Sequence, residues 1–241
     1  MAALDAVARQ SLSVGVATGA YGISFGALSV AAGLSVPQTM ALSLLMFSGA
    51  SQFAAVAIVG AGGAGATAVT TAALLGVRNG LYGLQMSHVV GGRGLRRAAA
   101  AQLTIDESTA VALAQDDPTK ARRGFWLTGV AVFALWNLAT LVGALVGNAL
   151  GDPKTYGLDA AAAGAFCALL WPRLHRRDAL ATAALAAFLT MVTAPALPAG
   201  VPILVAALAA IAMAWAPIRL FGRAATRKAT SQGVGSGGAA P

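Results

Sequence analysis

From residue 124 to residue 145 the chain reads GFWLTGVAVFALWNLATLVGAL, without a single formal charge. Crossing the hydrocarbon core of a bilayer as a helix takes about 20 mostly apolar residues, so a run of this kind is matched to a membrane. Comparable runs lie near 11–34, 38–59, 67–89, 157–171, 179–194 and 200–218. Only 10% of the 241 residues are charged, against roughly 25% in an ordinary soluble domain. The pattern predicts an all-α, polytopic integral membrane helix bundle of about seven spans, in three parts. Residues 1–10 form an N-terminal segment, 11–218 the transmembrane domain and 219–241 a disordered cytoplasmic tail.

Residues 98–115, AAAAQLTIDESTAVALAQ, would reach about 27 Å as one helix. Charge decides how they are read. If they do not span, the clusters Arg93/Arg96/Arg97, Lys120/Arg122/Arg123, Arg173/Arg176/Arg177 and Arg219/Arg223/Arg227/Lys228 all face one side, which is then cytoplasmic. Only Arg9 and Lys154 face the other. The segment is therefore expected to be re-entrant, with eight full spans as the alternative. The N-terminus then lies outside and the C-terminus inside.

The net charge of +8 is not a nucleic-acid signal, because the basic residues sit between apolar runs and no basic stripe with interleaved aromatics exists. Cys167 is the single cysteine, so one chain can build neither a disulfide nor a thiolate metal site. No metal or cofactor is expected. In the first run Gly15, Gly19, Gly22, Gly26 and Gly33 share one helix face, a strip that permits close helix packing. No repeat of fixed period is evident, although a diverged inverted repeat would suit a transporter.

Polar groups inside the apolar runs are the candidate site. Arg78-Asn79 falls at the middle of the third run, where an arginine costs on the order of 3 kcal/mol to insert. It calls for a partner or water. Asp106 and Glu107, adjacent in an otherwise uncharged segment, are the candidate ion-pair or proton-coupling groups, with Asp159 as a third. Thr104, Ser108 and Thr109 beside them are residues of the kind that stabilise a broken helix at depth. In FSGASQF, residues 47–53, Ser48 and Ser51/Gln52 are expected to share a helical face and offer neutral donors and acceptors to a cavity. Helix-to-helix bonding is the competing reading. Asn137 is a weaker cavity candidate, and His88 and His175 are expected at membrane edges.

The succession GALSVAAGLSVPQTMALSLLMFSGASQFAAVAIVGAG, GVRNGLYGL, LTIDESTAVALA and YGLDAAAAGAFCALL resembles the AzlC family of branched-chain amino acid permeases, over residues ~15–217. The resemblance implies export of branched-chain or related neutral amino acids, with a small AzlD-like membrane subunit as partner. On that reading Arg78, Asn79, Ser48, Ser51, Gln52 and Asn137 would surround the substrate. Many relatives carry Arg-His where this chain has Arg78-Asn79, and Asn before the Arg where it has Gly76-Val77. A histidine-based proton relay is therefore missing. A G-x-x-x-x-G-K-[ST] phosphate loop is absent as well. Two other classes stay open: a non-transporting assembly subunit, and an intramembrane serine protease built on Ser51 and His88.

Overall fold

The computed structural model describes residues 5–150, 167, 170, 171, 174, 175 and 177–215. These fall in two compact units, Met1–Leu170 and Trp171–Pro241. Every regular element among the described residues is helical: α1 (Ala6–Ala31), α2 (Val36–Leu45), α3 (Gly49–Gly60), α4 (Gly65–Val90), α5 (Leu95–Gln102), α6 (Asp106–Leu113), α7 (Pro118–Leu150), α8 (Arg177–Thr193) and α9 (Val201–Trp215). By length and composition, Ala6–Ala31 and Pro118–Ala149 are long and apolar enough to cross a membrane.

The first unit is built on the seam between α1 and α7, which run parallel. Asp5 caps α1 by accepting from the Ala8 N–H (2.8 Å) and pairs with Arg123 at the start of α7. Further along, Thr128 donates to Ser11 (3.0 Å). Gly15, Gly19, Gly22 and Gly26 then face Ala131, Leu135, Trp136 and Thr140 in turn. A β-carbon at Gly15 or Gly19 would come within 2.8 or 2.7 Å of its neighbour, so the strip is what lets two backbones approach. Gly33 does not belong to it. It sits past the end of α1 at φ +93 and meets nothing within 4 Å.

The run 38–59 is not one span. Ser35 and Gln38 form a capping box at the start of α2, but the helix stops at Leu45 and α3 begins at Gly49. Gly60 at the far end of α3 abuts Ala32, beside the start of α2. The two helices thus enter and leave at the same end, each about 15–18 Å long, half a bilayer core. Trp136 explains the position of the turn: a β-carbon on Gly49 would lie 3.3 Å from the edge of its ring, which also packs on Phe25 and Phe53.

Residues 98–115 behave alike. They fall in α5 and α6, which reverse at 103–105, and the hairpin comes from the opposite end. Arg96 of α5 lies over Trp126 near the start of α7 (5.8 Å), and Val111 of α6 lies against Gly124. Leu103, at the turn, reaches Gly129. Ser108 fixes this turn by accepting from the Ile105 N–H (3.1 Å) and donating to the Leu103 carbonyl (2.6 Å).

The order helix, hairpin, helix, hairpin is an inverted repeat. Both α1 and α4 have 26 residues, and the connections that follow, 32–35, 46–48 and 61–64 against 91–94, 103–105 and 114–117, match in length. The sequence carries the same signal, which the reading by period missed: GVATGAYG at 15–22 and GVRNGLYG at 76–83 share five of eight residues. α4 runs opposite to α1 and ends where the Val89 carbonyl accepts from Arg122 (3.1 Å).

That direction sets the start of α1 at the same end as the first two basic clusters, where the sequence reading had placed it opposite them. Arg9, Arg93, Arg96, Arg97, Lys120, Arg122 and Arg123 all lie at one end of the first unit, with the start of α1. The loops 32–35 and 61–64 at the other end carry no charge. Reading α2–α3 as a span had reversed α1.

In the second unit α8 and α9 pack on each other through a turn at 194–200, where Pro195 and Pro198 fall and Gly200 takes φ +92. Pro202 is the second residue of α9, where its missing N–H has no helical partner to lose.

Candidate functional site

A cavity of about 810 Å³ lies between the α2–α3 hairpin and α4. It runs from Gly33, Leu34 and Gly65 at the uncharged end to Ser48, Ser51, Asn79 and Thr104 at the middle. Leu42, Ala55, Val56, Val59 and Ala72 make most of the wall apolar. Gln38 is polar at the uncharged end, and Ser48, Ser51, Asn79, Gln102 and Thr104 are polar at the inner end.

There α3 begins. The Ser48 hydroxyl donates to Ser51 Oγ (3.2 Å) and makes no hydrogen bond to the backbone of α3. The first N–H groups of a helix have no partner within it and carry its positive dipole end, so this terminus presents donors to the cavity. A β-carbon at Gly76 would lie 3.8 Å from Ser51 Oγ, an ordinary contact, so α4 passes next to the hydroxyl at this point. Asn79, one turn along, lines the cavity and holds Oδ1 buried without a hydrogen-bond partner among the described residues.

Gln52 does other work. It is fully buried, does not line the cavity, and donates Nε2 to the Leu42 and Ser43 carbonyls (3.4 and 3.3 Å). Gln102, which sequence reasoning passed over, donates to the Leu44 carbonyl (2.8 Å). Two glutamines thus bond to carbonyls in the last turn of α2, of which Leu42 also accepts from the Met46 N–H (3.0 Å). Ser48, at the break, and Ser51 both line the cavity, and the expectation is corrected only for Gln52, which turns back to α2.

Arg78 also points away from the cavity. Its Nη1 lies 2.9 Å from Asp106 Oδ2, with the two side chains 30% and 26% exposed, so the partner expected from the sequence is the one found. Glu107 follows in the first turn of α6. Asn137 is excluded from the cavity, for its amide donates to the Phe133 carbonyl of its own helix (2.8 Å). Asp159 lies outside the described residues. Ser51 and His88 are not brought together: His88 is in the last turn of α4, twelve residues and about 18 Å beyond Gly76.

Apolar helices with a cavity that ends at the start of a helix are an arrangement met among membrane transporters. The sequence model of the AzlC protein matches residues 13–150, more than half of the chain. The chain belongs to the AzlC family, a transporter-type family associated with branched-chain amino acid transport, and with its apolar helices it is a membrane protein. The matched residues take in both hairpins. Curated proteins and solved structures yielded no match.

Proposed function

We propose that this protein is a secondary transporter that exports branched-chain or related small neutral amino acids across the cytoplasmic membrane, holding the substrate at the inner end of the cavity. The observation that carries the reading is the start of α3, without a side-chain cap and beside two hydroxyls, in a mostly apolar cavity. A zwitterion fits it in one orientation. The carboxylate lies on the N–H groups of Gly49 to Ser51 and the serine hydroxyls, the ammonium on Asn79 Oδ1 and Thr104, and the aliphatic side chain along Val56, Val59 and Ala72. The seven basic residues at one end make that end cytoplasmic, so the cavity reaches toward the external side. α1, α4 and α7 then span, and the two hairpins enter from opposite faces.

The small AzlD-like subunit remains part of the proposal. The glycine strip of α1 does not receive it, because α7 occupies that strip. A non-transporting assembly subunit is the second reading.

The test is efflux of a labelled amino-acid panel from vesicles containing the chain, with and without the small subunit. Export of leucine, isoleucine or valine, weakened about tenfold by Asn79→Leu through loss of one hydrogen bond to a charged group, supports the reading. No export of any neutral amino acid in either preparation overturns it.

A further inference from the structure

The cavity reaches the uncharged end of the first unit, yet an exporter must load from the basic one. We propose that the α5–α6 hairpin is a gate at the basic end, with the Arg78–Asp106 pair as its latch, and that it opens as the α2–α3 hairpin closes. The proposal takes its purpose from the transport reading, but its geometry stands without it.

Two like halves of opposite direction have two arrangements, related by exchanging the conformations of the halves. In this structure the halves differ. α3 packs along α4, and a cavity is left between the α2–α3 hairpin and α4. The α5–α6 hairpin is closed down: Asp106 is tied to α4, Arg96 covers Trp126 of α7, and Leu103 and Val111 press on Gly129 and Gly124.

What is sealed behind it is partly polar. Thr109 Oγ1, Arg78 Nε and Trp126 Nε1 are buried without hydrogen-bond partners among the described residues, a cost that water relieves once the hairpin moves. The tips of the two hairpins touch through Gln102 and the Leu44 carbonyl, so one cannot withdraw without releasing the other. The α1–α7 seam, with backbone against backbone at its glycines, is the fixed part on which both hairpins turn.

Accessibility tests this directly. In a Cys167→Ser background, Ala73→Cys reports the cavity and Thr109→Cys the closed side, each probed with a membrane-impermeant thiol reagent in vesicles of both orientations. The expected result is that Asp106→Asn speeds labelling at Thr109→Cys from the basic side, by roughly tenfold for a latch worth about 1.4 kcal/mol, and slows labelling at Ala73→Cys from the other side. Should Asp106→Asn not fold, Arg78→Lys is expected to shift both rates in the same directions by less. Continued protection of Thr109→Cys, or a rate at Ala73→Cys that fails to fall, overturns the proposal. Saturating leucine should shift both rates too. If the latch variants act and leucine does not, the gate stands and the substrate reading fails.

Discussion

A β-carbon on Gly22 would lie 2.6 Å from the carbonyl oxygen of Trp136. Its counterpart in the repeat, Gly83, has nothing within 4 Å among the described residues. Gly22→Ala must therefore part α1 from α7, at a cost of about 1–3 kcal/mol from overpacking. Gly83→Ala should be neutral or slightly stabilising, since alanine is the better helix former. Thermal unfolding of the two variants in detergent checks the contrast, and equal behaviour would refute the seam.

The Gln52 side chain joins the two arms of its hairpin. Gln52→Leu leaves the Leu42 and Ser43 carbonyls without it and is expected to lower stability by about 1–3 kcal/mol. Protein that remains folded should still bind substrate. Loss of binding without loss of stability would return Gln52 to the substrate site.

Arg78→Ala removes the guanidinium that lies 2.9 Å from Asp106 Oδ2. Full burial would make this cost about 3–5 kcal/mol. With both side chains more than a quarter exposed, the expected loss is smaller, about 1–2 kcal/mol. Arg78→Ala/Asp106→Ala should recover most of it. Arg78→Lys should keep part of the function, as charge without the planar fork. Melting temperature and efflux measured on the same preparations separate the pair's structural part from direct contact with substrate.

Orientation is testable within the first unit. Ala61→Cys and Arg97→Cys should label from opposite faces of the membrane, Ala61→Cys from outside. A cysteine at Ala6 should share the face of Arg97→Cys. Labelling of Ala6→Cys and Ala61→Cys from one face would restore α2–α3 as a span.

Much of this was legible where a residue's cost is local. Arg78 in an apolar run demanded a partner, and the acids at 106–107 were the only ones within an adjacent apolar segment. The clumping of Thr104, Ser108 and Thr109 pointed to a break there, and α6 begins in their midst. The break before Gly49 was not legible, because hydropathy adds across a turn as readily as along a helix, and Met46-Phe47 is as apolar as what surrounds it. The turn packs on Trp136 at Gly49, about ninety residues away, a contact that no local pattern reports. One misread turn then carried α1 to the wrong side. The repeat escaped notice because its spacing is uneven: 61 residues between the glycine motifs but 57 between Ser51 and Ser108, both third in their helices.

The dependence of the α2–α3 turn on α7 has a consequence for how the protein is made. Ser43 bonds to Thr140, Phe47 stacks edge-on against Phe133, and Gly49 rests on Trp136. All three partners leave the ribosome some ninety residues after the turn does. Until then the first hairpin has α1 beside it but no floor, and its free backbone groups have only water or the insertion machinery to bond. Synthesis therefore runs from one end of the chain to the other, whereas assembly closes backward, with the second segment made among the last to reach its final place.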